Sequence, residues 1–290
     1  MKPSFSYYIV TNFIKLKGIK KIFSQSPIPY HLLRRDDIYS PKSKFYNNKP
    51  IIDTILKSTI HHFTKPNSEE LSIYIHGGAF VSGPAKHHWD SIQKIYQNTN
   101  QNIWFVNYPK APEHQIAEVH NNILSIYLEA IKIFPKEKIS IIGDSAGGTL
   151  IIKLIQSLEE YLYPKQIILI SPVLDSSLDH PTIKKIENLD IMLSVEGVKS
   201  AKQMSLGNNN LKDPNISPLF GNLKKFPKTT IFIGTYDITS IDQKIFAQKL
   251  NLNNTDLNLI IKEKMPHIWP LLPFMRESTI ALKQIIQLLK

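Results

Sequence analysis

Ile139-Ser140-Ile141-Ile142-Gly143-Asp144-Ser145-Ala146-Gly147-Gly148-Thr149-Leu150 is the stretch whose reading decides the fold. It opens as a short apolar strand over 139–142 and passes into an apolar-periodic helix over 146–158, with a serine at the join and glycines two before and two after it. A serine turned sharply off a strand end takes a strained backbone, and the flanking glycines let neighbouring chains approach without Cβ clashes. The helix that starts there places partial positive charge beside the hydroxyl. The chain has only 11 glycines, and five fall in two patches: Gly143, Gly147 and Gly148 here, and Gly77 and Gly78 earlier.

Working outward, strand and helix patterns alternate from residue 50 onward. Strands are predicted at 51–56, 59–64, 71–75, 103–107, 166–171, 229–234 and 257–262, and helices at 116–133, 241–250 and 280–289. Such alternation indicates an α/β fold, a mostly parallel central sheet flanked by helices. Between Asp175 and Lys228 the rhythm breaks into two helical pieces, 182–189 and 195–206, followed by the turn Asn208-Asn209-Asn210. That insertion is placed as a helical cap over the carboxyl end of the sheet. The expected organisation is an amino-terminal cap segment at 1–45, a catalytic domain at 46–175 and 223–290, and a cap insertion at 176–222.

The earlier glycine patch reads His76-Gly77-Gly78-Ala79-Phe80 and also follows a strand. Amides exposed by tandem glycines can face a developing oxyanion, and the Ala146 amide, one past the serine, supplies a further donor. Ser145 then needs a base, and the base an orienting acid, both later in the chain. The downstream histidines are His180, in the expected cap, and His267, just past the last strand. Position favours His267. Asp237 and Asp175 each follow a strand end, and Asp237, with one helix and one strand between it and His267, is preferred; a helix N-cap is the plain alternative for both.

Other chemistries find no residues. There are no cysteines, which excludes disulfides, thiolate zinc sites and a cysteine nucleophile. His61-His62 and His87-His88 are adjacent pairs that on a strand would point to opposite faces. No His-Glu-x-x-His or phosphate- or dinucleotide-binding glycine pattern occurs, so no metal and no cofactor are expected. His76 reads as a structural hydrogen-bonder. Trp89, Trp104 and Trp269 read as core, with Trp269 also a candidate pocket wall.

Apolar residues make up 42% of the 290 and charged residues 20%, a globular balance. The formal net charge is +11, but the lysines are scattered and no nucleic-acid-reading motif accompanies them, so no nucleic-acid partner is expected. In the first 24 residues Phe5, Ile9, Phe13 and Leu16 recur at helical spacing, followed by Lys15, Lys17, Lys20 and Lys21. With neither a continuous apolar core nor a small-residue cleavage site, this is not a secretory signal, and a cytoplasmic location is expected. It reads as an amphipathic helix packed on the protein's own body by that face; contact with a membrane surface is the sharper alternative.

Four motifs together carry a resemblance: Tyr74-Ile75-His76-Gly77-Gly78-Ala79-Phe80, Tyr108-Pro109-Lys110-Ala111-Pro112-Glu113-His114, Gly143-Asp144-Ser145-Ala146-Gly147-Gly148 and Gly234-Thr235-Tyr236-Asp237. Over residues 50–289 the chain resembles the hormone-sensitive-lipase-like branch of the α/β hydrolases, which includes bacterial acetyl esterases and carboxylesterases. The resemblance implies the α/β-hydrolase fold, a Ser145–Asp237–His267 triad, oxyanion donors at Gly77, Gly78 and Ala146, and a small-molecule ester with a short acyl group as substrate. A small-molecule receptor, an amide or formamide hydrolase and a lipase are the alternatives. The chain departs from the pattern at Ala79 (usually glycine), in the 108–114 loop, and at Ile268 (often glycine), expected to narrow the site.

Overall fold

The computed structural model describes residues 2–41, 49–207 and 210–290; two residues of the expected 208–210 turn, Asn208 and Asn209, lie outside them. In chain order the elements are α1 (Phe5–Lys17), α2 (Ile19–Phe23), α3 (Tyr30–Leu33), β1 (Ile51–Ile55), β2 (Ser58–Phe63), β3 (Leu71–Ile75), α4 (Lys86–Asn98), β4 (Asn102–Asn107) and α5 (Ile116–Ile133). They continue with β5 (Ile139–Asp144), α6 (Ala146–Ser157), β6 (Gln166–Ile170), α7 (Ile183–Glu187), α8 (Val195–Leu206), β7 (Lys228–Gly234), α9 (Ser240–Leu252), β8 (Leu257–Lys262) and α10 (Arg276–Leu288).

The eight strands form one sheet in the order β1-β2-β4-β3-β5-β6-β7-β8. β1–β2 and β2–β4 are antiparallel and the other pairs parallel. Alternation along each strand splits the interior into two cores. On β6, Ile168 and Ile170 face one with Phe232 of β7, Trp89 and Ile92 of α4 and Ile285 of α10. Ile167 and Leu169 face the other with Ile231, Ile123 of α5, Leu150 of α6 and Phe246 of α9. Each such fully buried side chain contributes about 1.5–3 kcal/mol, so the unbroken apolar run of β6 fits only a strand covered on both faces.

Two regions differ from expectation. Residues 86–98 form α4, with Trp89, Ile92 and Ile95 on its buried face, where no helix was foreseen. In α1 the buried residues are Tyr7, Val10, Thr11 and Ile14, whereas Phe5, Ile9, Phe13 and Leu16 face solvent. The helix is apolar on both sides, and polar anchors choose the face: the Tyr7 hydroxyl donates to the Lys264 carbonyl (3.0 Å), and Ser4 donates to the Glu277 carboxylate from its amide (2.7 Å) and hydroxyl (2.8 Å).

The segment after α1 packs on the helices between β6 and β7. The Ser194 hydroxyl donates to the Phe23 carbonyl, the Ile28 amide donates to Ser200 Oγ (2.8 Å), and Lys20 Nζ donates to the Asp190 carbonyl (2.7 Å). Gly197 lies so close to Phe23 that a Cβ there would stand 1.9 Å from the Phe23 carbonyl oxygen. Gly197→Ala is expected to lift this segment off α8, lowering stability by about 1–3 kcal/mol. Urea unfolding and faster tryptic cleavage after Lys20 or Lys21 would show it; unchanged cleavage and midpoint would refute the packing.

Candidate active site

Parallel pairing brings separate loops to one end of the sheet. β5 ends at Asp144, and Ser145 follows with φ 49 and ψ −118 before α6 begins at Ala146. That left-handed conformation is costly for a residue with a Cβ. Backbone bonds hold it: the Ser145 amide donates to the Ile170 carbonyl (2.9 Å), and the Ser145 carbonyl accepts from the Thr149 amide (3.2 Å). α6 is pressed against the end of β3, where a Cβ on Gly147 would stand 2.0 Å from the Ile75 carbonyl oxygen. Only glycine fits there.

β3 and β5 are neighbours, with Ile75 opposite Gly143, so the 76–80 loop runs beside Ser145. The Gly77 amide donates to Asp144 Oδ1 at 3.1 Å, so this expected oxyanion donor is already engaged. Gly78 and Ala79 line the same cavity as Ser145, and both have positive φ, 121 and 55. Asp144 Oδ1 also accepts from the Tyr74 hydroxyl (3.0 Å), while Oδ2 faces His88 Nε2 at 3.3 Å. Burial opposes its charge, but His88, His87 and the Tyr74 bond hold the carboxyl below the usual range. His87 and His88 lie on α4, not on a strand as the sequence reading supposed; with Asp144 they form a group of donor atoms within 4.8 Å of one another. The His88 Nδ1 accepts from the Ala85 amide (2.9 Å), which puts its proton on Nε2, facing the carboxylate.

His76 is a structural residue: Nδ1 lies 2.6 Å from the Gly77 carbonyl, and the ring stacks on Tyr108 at 4.5 Å. The divergent 108–114 loop is tied down by Arg34. Its guanidinium pairs with both oxygens of Glu113 (2.8 and 2.7 Å) and donates to the Val81 and Ala111 carbonyls (2.7 Å each).

β7 and β8 pair with Gly234 opposite Lys262, which brings the loops beyond them together. His267 Nδ1 lies 2.8 Å from Asp237 Oδ2, and Asp237 Oδ1 accepts from the Thr239 amide (2.9 Å) and hydroxyl (2.7 Å). Both residues are buried. Burial disfavours the imidazolium, but Asp237, then Asp190 and Asp144, raise the His267 pKa above 6.5. Burial likewise opposes the Asp237 charge, and the His267 pairing with the Thr239 bonds lowers its pKa. The alternatives lie elsewhere: Asp175 accepts from Ser177, and His180 is exposed. Ser145 and His267 line one cavity of about 160 Å³, together with Phe23, Leu33, Val173, Leu193, Val198 and Ile268. Among the described residues the Ser145 hydroxyl makes no hydrogen bond; such bonds are often long in unliganded enzymes. Trp269 packs in the core against Phe232 instead.

The profile of the alpha/beta hydrolase fold matches residues 72–271, well over half of the chain. The chain belongs to that family. An esterase from Acinetobacter venetianus is 33% identical over 190 residues, covering 63% of this chain and 62% of the relative. A crystal structure of an esterase/lipase from an uncultured bacterium superposes with a TM-score of 0.87 at 21% identity, over 99% of this chain and 98% of that one. One of an esterase from the bacterial hormone-sensitive lipase family gives 0.84 at 20% identity, over 100% and 98%. The chain spans about three fifths of the length of the curated relatives it matches.

Two buried groups escaped the sequence reading. Asp190 sits on the turn after α7, where its Oδ1 accepts from the Met192 (2.8 Å) and Leu193 (2.9 Å) amides and its Oδ2 from the Ile238 amide (3.0 Å). It thereby ties the helical insertion to the residue beside Asp237, and burial, then the Asp237 charge, pushes its pKa up to about 6. Lys202 of α8 lines the cavity yet is 0% exposed, its Nζ 3.8 Å from the Phe80 ring centroid and without a hydrogen-bond partner among the described residues. Its place beside Ala201 and four residues after Val198, on the buried face of α8, is the only signal the sequence offers for it.

Burial holds the Lys202 pKa well below 10.5. The folded state therefore resists the proton that the unfolded chain binds, and stability falls as pH drops from 10.5 toward the lowered value. Lys202→Met is expected to raise the unfolding free energy at neutral pH by about 2 kcal/mol. The gain shrinks as pH approaches 10.5, where the unfolded lysine loses its proton as well. Urea titrations at both pH values test this, and a destabilised variant would contradict it.

Proposed function

We propose that this protein is a serine carboxylesterase that hydrolyses small esters with short, acetyl-type acyl groups through an acyl-enzyme. The observation that carries the reading is the buried His267–Asp237 pair, 2.8 Å apart, on the cavity where Ser145 stands in a strained strand-to-helix turn. Asp237 keeps the His267 proton on Nδ1, which leaves Nε2 as the base. Ser145 attacks the ester carbonyl as His267 takes its proton. The Ala146 amide at the start of α6 and those of Gly78 and Ala79 stabilise the oxyanion; Ala79 stands in for Gly77, whose amide serves Asp144. His267 returns the proton to the leaving alcohol, and water then releases the acid from Ser145.

The apolar walls and modest volume of the cavity support a short acyl group. The described residues of 1–45 and of 176–222 are proposed to form a two-part cap, since Ile19, Phe23 and Leu33 from one and Met192, Leu193 and Val198 from the other line that cavity.

Ser145→Ala should lower kcat on p-nitrophenyl acetate or butyrate by about 10⁴-fold or more with the fold retained, and only the parent protein should be labelled at residue 145 by a fluorophosphonate. Normal turnover by the variant, or no labelling, would reject the reading. The pH profile gives a separate check. The base must be neutral, and Asp237 favours its protonated form, so kcat/KM should fall on acidification with a midpoint above 6.5. The same shift adds stability below 6.5 that is lost as pH rises through the folded pKa, so protonation of His267 does not itself unfold the protein. Asp237→Asn should move the midpoint down; a flat profile from pH 5 to 8 would exclude His267 as the base.

A further inference from the structure

The outward face of α1 has no partner among the described residues. Phe5 is 81% and Leu16 86% exposed, and Tyr8, Ile9 and Phe13 between them are exposed as well. At about 100° per residue these five fall within an arc of roughly 140°, opposite Tyr7, Val10, Thr11 and Ile14, which hold the helix to the body. Asn12 alone interrupts the stripe. Lys15 and Lys17 flank its two sides, and Lys17 Nζ lies 5.4 Å from the Phe13 ring centroid. Residues 1–35 contain seven lysines and arginines and no aspartate or glutamate, although Lys20 and Arg34 are committed to internal contacts. Phe274, 93% exposed, lies two residues before Arg276, whose amide donates to Ser6 Oγ at 2.9 Å, so another bare aromatic ring stands near the start of the helix.

We propose that α1 docks the protein on an anionic lipid surface. It would lie flat, with the Phe5–Leu16 stripe at the headgroup–acyl boundary and the lysine stems reaching back to the phosphates. Charge chooses the occupant: residues 1–35 carry no acid, so a second copy of this face would bring the same unbalanced basic charge against it, whereas anionic headgroups complement it. The stripe leads directly into α2, whose Ile19 and Phe23 form part of the cavity wall, so a docked surface would lie beside the Ser145 cavity.

Sedimentation of the whole chain with phosphatidylcholine vesicles, with and without phosphatidylglycerol, tests the proposal independently of any hydrolysis. Binding is expected to the phosphatidylglycerol vesicles and to fall about tenfold or more at about 0.5 M salt. Phe13→Ser combined with Leu16→Ser should lower partitioning by about tenfold or more without shifting the melting temperature, since both side chains stand in solvent. The proposal fails if the protein stays in the supernatant with anionic vesicles, or if the double variant binds as the parent does. It fails equally if sedimentation velocity shows a dimer that the same substitutions dissolve, which would make a second copy the occupant.

Discussion

The left-handed backbone of Ser145 is the constraint on which the rest of the site depends. An L-residue holds φ 49 only where its surroundings leave no alternative, and here two contacts do so. The Ser145 amide is fixed to β6 through the Ile170 carbonyl, and α6 closes on the Ile75 carbonyl across Gly147. The apolar runs of β3, β5 and β6 keep those strand ends in register. The two cores therefore set the direction of one hydroxyl.

Charge is organised around that point in buried side chains. Asp144, Asp190 and Asp237 are all buried within a short span of one sheet end, and each is met by donors: Tyr74, the Gly77 amide and His88 for the first, three backbone amides for the second, His267 and Thr239 for the third. The amides that fix these carboxylates come from loops of different strands. A buried carboxylate missing one such donor is strongly destabilised, so these contacts tie the loops together as well as setting the charges. Lys202 is the exception, a buried amine facing an aromatic ring with no anion among the described residues to hold a charge on it.

Much of this was legible in the order of residues. All eight strands appeared at or near their observed positions because their apolar runs are dense and bounded by turn residues, and α5 and α8 matched because their periodicity is clean. The closeness of Asp237 to His267 followed from strand order alone. What escaped has physical reasons. α4 is polar enough that its Trp89–Ile92–Ile95 spacing was outweighed by the adjacent histidines. The face of α1 could not be chosen from periodicity, since both sides are apolar and the decision rests on Tyr7 and Ser4 meeting residues more than 250 positions away. The capture of the Gly77 amide by Asp144 depends on tertiary geometry that no spacing encodes.

The bond from Ser4 to Glu277 also has a temporal side. The two residues are 273 positions apart, so during synthesis the first helix leaves the ribosome long before its mooring exists. Ile19 and Phe23 can settle over the cavity once α8 has emerged to hold the Phe23 carbonyl and the Ile28 amide, whereas α1 must wait for Lys264 and Glu277. Until then a nascent chain carries this basic, aromatic helix unmoored, and residues 5–17, made long before Glu277, are held in place only after it.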